Sequence, residues 1–502
     1  MAGGQRRRRP VRLRLALRHP LGPAPSSPRG RTGRRGRGIA EAVITSYEPL
    51  NEPLPARAEG DAPAQAGARS SVALILGATI VSGLSGYLVT WRVFTASGAA
   101  GYAVFSVFWS ALFLVVGVLF GVQQEATRAV AQAEREAGTA EREAGTATQN
   151  GRRSSIWLFA AGLAVVVLSV VLLTALLWAA PSLGQDQAGL SVFVAIGAAF
   201  NCLVAAGSGV MAGSGMWRQL ASVVALDGVL RVVFVLLALA MTTEPWVLAL
   251  AVILPFPLAL AAVFLSAPRA LIARAVVPER MRGLAVNTLR TMIAASATAV
   301  LINGFPLILS FFSSPAGHRQ LGSLVLAVTL TRAPILVPLM ALSSFLVSQF
   351  ARAPQGAFRL VTRLSALIAG VVAVLCLCAW AFGVPVVKAV FGAQFDLDAG
   401  TLTALVASSG MIGILCVTGS AVLARNLHGG YAIGWVAASV VTIALLFLPL
   451  PLEGRAALAL AAGPAVGILV HLWWLRRAPA GEAAGAGPVG PAAAPSIGEE
   501  QR

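Results

Sequence analysis

The chain has 502 residues, 57% of them hydrophobic and only 12% charged, a composition that excludes a water-soluble globular domain because its repeated apolar runs must face a solvent other than water. The formal net charge of +18 invites a nucleic-acid reading, but twelve of those charges are arginines in residues 1–38, a stretch without any acid. No nucleic-acid partner is therefore expected.

In chain order, residues 1–70 read as a disordered, Arg-rich cytoplasmic tail, with RRRRP and RTGRRGRG set among prolines and glycines. It is either passive, including the case of a misassigned start codon for residues 1–42, or a polybasic arm weakly attracted to anionic lipids. No cleavable signal is evident, since the first apolar run lies 70 residues in and is long enough to span. A window of about 20 residues, the length needed to cross a ~30 Å hydrocarbon core, then finds spans near 71–91, 102–121, 156–178, 188–210, 221–241 and 246–266. A polar stretch at 268–287 separates these from spans near 288–311, 321–347, 364–384, 399–423, 431–449 and 455–475. A second disordered tail, 478–502, closes the chain.

These runs are rich in Ala, Leu, Val and Gly and tolerate internal Pro, which fits helices rather than barrel strands. The expected fold is an all-α polytopic membrane protein of about twelve transmembrane helices in two pseudo-symmetric six-helix lobes, 71–267 and 288–477. The hairpin GVMAGSGMWRQLASVVAL (209–226) has a loose counterpart in SAVLARNLHGGYAIGWVAAS (420–439). An even number of spans per lobe makes the lobes parallel, related by an axis along the membrane normal. In the loop after span 2, EREAGTA at 134–140 recurs at 141–147; it either extends span 2 as a cytoplasmic helix or is a slipped duplication in a tolerant loop.

Loops that stay in the cytoplasm keep positive charge. With the N-terminus inside, inner loops and the start of the tail hold seventeen arginines, against four basic residues outside, Arg92, Arg319, Lys388 and Arg455. Both termini are thus expected in the cytoplasm. Arg, Ala and Gly abound while lysine is nearly absent, which suggests a GC-rich bacterium and its plasma membrane.

Charge inside the spans is scarce. Among twenty acids, only Asp227 falls within a span, in ALDGVLRVV (225–233). A charge at the bilayer centre costs about 2.5–3.5 kcal/mol on insertion scales, so it needs a partner, a cavity or a route to water. Asp227 and Arg231 lie at i and i+4 on one helical face: either a self-satisfied structural pair or a candidate coupling pair for substrate or protons. Arg332, in TLTRAPILVPLM (329–340), has no carboxylate nearby in sequence, and Pro334 and Pro338 follow it as candidate helix-kink positions. It is either locked to Asp227 across the lobes or an unpaired cation awaiting an anion. Cys202, Cys376, Cys378 and Cys416 form no CxxC pair, and the four histidines make no ligand set, so no metal, cofactor or disulfide framework is expected.

Three stretches carry a resemblance. GYAVFSVFWSALFLVVGVLFGVQQEATR (101–128) resembles the span 2 region of polysaccharide flippases of the multidrug/oligosaccharidyl-lipid/polysaccharide exporter superfamily. VFGAQFDLDAGTL (390–402) is similar to their turn between spans 9 and 10, and INGFPLILSFFSSPAGHRQLGSLVLAVTLTRAP (302–334) to their span 7 to 8 passage. The resemblance covers roughly residues 71–475. It implies a two-lobed transporter, not an enzyme, that moves a polyprenyl-pyrophosphate-linked saccharide between leaflets by alternating access, alongside glycan-synthesis membrane proteins. It also implies cavity arginines that hold the pyrophosphate: Arg332 by its place in span 8, with Arg92 and Arg290 as weaker matches. Asp227 and Arg231 depart from the pattern.

The alternatives are a multidrug or small-molecule exporter of the same superfamily or of the major facilitator kind, and a membrane glycosyltransferase. A cation exporter would want acids in its cavity. The major facilitator signature after span 2 is missing from QQEATRAVAQAERE (123–136). A glycosyltransferase would need an outward carboxylate, for which Asp396 and Asp398 are the candidates, with solvated turn residues as their plain reading. No Walker A loop accompanies the lone Lys388, which leaves an ion gradient or the membrane potential as the energy source.

Overall fold

The computed structural model describes residues 62–142, 154–313, 317–352, 356–425 and 427–477. The expected tails at 1–61 and 478–502, and most of the second EREAGTA copy, lie outside the described residues. Among the described residues, ten helices are long and apolar enough to cross a membrane. The first, α1 (Ala62–Arg142), begins within the stretch expected as tail and supplies two crossings, because it breaks at Gly98, whose φ of 73° is open to glycine at no steric cost. Phe94 and Tyr102 would stand about 12 Å apart along a straight helix, yet their rings are 5.3 Å apart. The chain therefore doubles back at Gly98.

The first lobe continues with α2 (Ile156–Leu183), α3 (Leu190–Gly213), α4 (Trp217–Met241) and a sixth crossing split into α5 (Pro245–Ile253) and α6 (Pro255–Ser266). The polar connection holds a short α7 (Pro268–Ala273). The second lobe comprises α8 (Met281–Ile302), α9 (Phe305–Ser310), α10 (His318–Arg352), α11 (Ala357–Cys378), α12 (Val384–Phe391), α13 (Ala399–Ala424), α14 (His428–Leu445) and α15 (Leu452–Arg477). A π-turn at Ala379–Gly383 joins α11 to α12 in one crossing. Counting α1 twice and adding α10, the crossings number twelve among the described residues. Equivalent positions of the lobes match: the fourth and tenth crossings, α3 and α13, are deeply buried, while the third and ninth, α2 and α11, lie at the periphery. Small residues explain the first pattern, since Ser408, Ser409, Gly410 and Gly413 let neighbours approach α13 closely.

The connection between the lobes is built onto the first lobe. Strand β1 (Ser154–Ser155) pairs antiparallel with β2 (Val276–Val277), Ile156 N–H donates to Ala275 O at 2.8 Å, Trp157 Nε1 to Leu271 O at 3.1 Å, and Arg274 Nη1 to Ser214 O at 2.8 Å. Glu279 then bonds Arg128 of α1 at 2.8 Å and accepts from Asn287 of α8 at 2.9 Å.

The lobes meet along the second arm of α1. A Cβ placed on Gly121 would overlap the backbone of Thr291 and Met292, and one on Gly117 would come within 2.7 Å of Ala299 Cβ. Thr291 Oγ1 adds a 2.8 Å bond to Gly121 O. This is a small-xxx-small contact between α1 and α8. Asp398 has the role of a cap rather than of a reactive carboxylate: it accepts from Thr401 N at 2.9 Å and from Thr401 Oγ1 at 2.6 Å at the start of α13. Those two bonds hold its carboxyl below the usual range.

Gly121→Leu should separate α1 from α8 and destabilise the protein by about 1–3 kcal/mol or more. Thermal unfolding in detergent should show a lowered midpoint, whereas Gly77→Leu, at a site where an added Cβ would meet nothing within 4 Å, should leave it near the parent value.

Candidate functional site

Residues 302–307, INGFPL, interrupt the seventh crossing. Helix α8 ends at Ile302 and α9 starts at Phe305. Pro306 has no N–H, so the Ile302 carbonyl lacks the donor that a continuing helix would supply four residues on. Freed backbone carbonyls at membrane depth must find other donors, and three side-chain bonds supply them here. Arg332 Nη1 of α10 donates to Leu301 O and to Ile302 O, each at 3.3 Å. Ser110 of α1 enters the helical ladder itself: its hydroxyl donates to Asn303 O at 2.5 Å and accepts from Leu307 N at 3.1 Å. Asn303 and Leu307 are the i and i+4 partners that would otherwise bond directly.

Arg332 is 7% exposed. Its guanidinium carbon lies 5.5 Å from the Phe305 ring centre, Tyr87 stands within electrostatic reach, and Nη2 is buried without a hydrogen-bond partner. Among the described residues no carboxylate pairs with it. A helix C-terminus carries roughly half a negative charge, so the end of α8 compensates Arg332 in part and leaves donor capacity over. The buried Tyr102 lies beside Thr90 and Thr329, between α1 and α10.

The remaining sequence candidates are not brought to this point. Arg290 is exposed and lies eleven residues before Leu301 on α8, about 16 Å along the axis. Arg92 is half-buried and stacks against Trp91 at 5.4 Å, whose indole bonds Val390 O at 3.1 Å. Pro334 and Pro338 sit on an exposed face of α10, which runs through both. Arg231 and Asp227 bond each other at 2.6 and 2.7 Å. Trp109, Phe113 and Phe256 surround that guanidinium at 5.1 to 5.8 Å, and Nε reaches Val252 O at 3.4 Å. The pair thus has a closed set of partners, none shared with Arg332.

Sequence reasoning missed Ser110 and Pro306. Pro306 is a legible break signal inside a span. Ser110, one serine in FWSALF, carries none, because its partners are backbone atoms 193 and 197 positions away.

Asp227→Asn should strand Arg231 among aromatic rings and cost about 3–5 kcal/mol, the usual penalty for breaking a buried pair. The double variant Asp227→Leu, Arg231→Met should recover most of that loss in the same unfolding assay.

No protein-family model matches the chain. Two proteins of Mycobacterium tuberculosis do: the uncharacterized protein Rv3630 is 34% identical over 444 residues, covering 88% of this chain and 99% of its own length. The uncharacterized protein Rv1510 is 32% identical over 426 residues, 82% of this chain and 93% of its own. Solved structures share the fold at low identity. An inward-facing multidrug resistance MATE family transporter of the MOP superfamily aligns at a TM-score of 0.60 with 14% identity, covering 81% of this chain and 98% of that one. The lipid II flippase MurJ in an inward closed conformation gives 0.56 and 12%, with 80% and 87% covered. A MOP superfamily transporter from Pyrococcus furiosus gives 0.56 and 15%, with 82% and 95% covered.

Proposed function

Because the chain belongs to the protein family of Rv3630 and Rv1510 and has the fold of MOP-superfamily transporters, we propose that it is a transporter that flips a polyprenyl-pyrophosphate-linked saccharide. The saccharide moves from the inner to the outer leaflet of the bacterial plasma membrane for cell-surface polysaccharide synthesis. The observation that carries this reading is Arg332: a buried guanidinium at the lobe seam whose hydrogen bonds among the described residues go to backbone carbonyls, with one amino group unsatisfied. A permanent cation in that state favours an anionic guest, and a planar fork of donors suits the oxygens of a pyrophosphate. A cationic drug is the opposite case, since two acids of the described membrane helices, the part-buried Asp227 and the buried Glu125, are already bonded to Arg231 and Arg128.

In this reading both termini lie in the cytoplasm, and the N-terminal arginines lean weakly on anionic lipid. The lobes rock about their shared seam, and the pyrophosphate passes Arg332 as the saccharide crosses. Transport draws on an ion gradient or the membrane potential, worth about 2.3 kcal/mol per charge per 100 mV.

The test is a strain lacking the gene. Lipid-linked oligosaccharide should accumulate on the cytoplasmic leaflet, relieved by the parent sequence. Arg332→Ala should fail by about tenfold or more in flipping rate, the scale of a lost charged hydrogen bond, and Arg332→Lys should restore part of it. Unchanged envelope glycan with lost drug resistance would assign the protein to drug export instead.

A further inference from the structure

We propose that Ser110 is a positioning residue for Arg332, holding the end of α8 as a resting dock that the substrate's phosphoryl oxygens must displace. The inference rests on the pyrophosphate reading of the site and adds to it a second anchor and a latch.

The dock is a loose one. Charge-assisted N–H···O bonds usually measure about 2.7–2.9 Å, whereas both Arg332 contacts are 3.3 Å and arise from a single amino group. Nη2 has nothing. The partial charge of a helix end is a weaker counterion than a pyrophosphate, so a phosphoryl oxygen that reaches Nη2 first competes well for Nη1. The dock is also conditional. Leu301 O and Ile302 O are available only while the helix stays broken just beyond them, and what fills the next rung is the Ser110 hydroxyl, inserted between Asn303 O and Leu307 N. That hydroxyl comes from the first lobe, while α8, α9 and α10 belong to the second. Opening the seam at this point withdraws Ser110, leaves Asn303 O and Leu307 N without their bridge so that this turn frays, and turns the two carbonyls away from the guanidinium. Lobe separation and release of Arg332 for an anion are thereby one event.

The usual expectation for a buried structural serine is that removing it harms binding. Here the sign is opposite: a weakened dock raises the fraction of Arg332 free to bind, and apparent affinity rises with that fraction.

The full chain in lipid nanodiscs would be titrated with a long-chain polyprenyl pyrophosphate, with the corresponding monophosphate as comparison, while amide hydrogen exchange is followed over residues 301–309. In the parent protein, pyrophosphate should accelerate exchange in that segment, including the Leu307 amide. Ser110→Ala should show the fast exchange without ligand and bind pyrophosphate roughly fivefold more tightly, the effect of losing about one hydrogen bond of competition. Ser110→Thr, which keeps the hydroxyl, should restore parent behaviour in both. Pyrophosphate binding that leaves exchange over 301–309 unchanged, or a Ser110→Ala protein that binds no more tightly than the parent, would overturn the inference and leave the transport reading standing. If Ser110→Ala does not fold, the exchange response of the parent protein alone decides. No pyrophosphate binding by the parent would overturn the transport reading, and this inference with it.

Discussion

Three backbone carbonyls that a proline and a kink leave without helical donors set the terms for the middle of this protein. In water they would be solvated at little cost. At membrane depth each needs a donor, and an unsatisfied one costs several kcal/mol. Leu301 and Ile302 take Arg332, and Asn303 takes Ser110. The same arrangement answers the complementary difficulty of placing a guanidinium away from water, because the end of a helix is the one part of a backbone that presents net negative potential. A broken crossing and a buried arginine, each unfavourable alone, stabilise one another.

The second arm of α1 is the spine on which this is mounted. Ser110, Leu114, Gly117, Gly121, Glu125 and Arg128 recur at intervals of three and four and so share one helical face. Ser110 meets the break; a Cβ on Gly304 would touch Leu114 Cδ1 at 3.3 Å, and Gly117 and Gly121 lie against α8. Glu125 and Arg128 carry the line out to Glu279. A neighbouring face of the same arm presents Trp109 and Phe113, stacked at 4.6 Å, to Arg231. One helix therefore addresses both intramembrane arginines from different sides, which is why they share no partner although their sequence contexts look alike.

Hydropathy made the twelve crossings legible, because length and apolarity are local properties of a run. The reversal between the first two falls, as the spans 71–91 and 102–121 require, in the stretch between them, but nothing local marked Gly98 as its pivot. For the site, the sequence exposed the charges and hid their partners. Asp227 and Arg231 are i and i+4, so their pairing could be read directly. Arg332 stood out for want of any nearby carboxylate, but its partners are peptide carbonyls, which every residue possesses and no sequence marks. Arg92 and Arg290 look equivalent to it as basic residues near or within spans and differ in depth and exposure, which depend on packing.

The stretch between the lobes has a mechanical consequence. β1–β2 pairing, Trp157, Arg274 and the Arg128–Glu279 bridge fasten it to the first lobe almost to its end, and α8 begins at Met281. A tether of some twenty residues is thus shortened to a pivot of one or two. Rigid bodies joined so closely at one edge swing like a leaf on its post, and any gap between them grows with distance from the post.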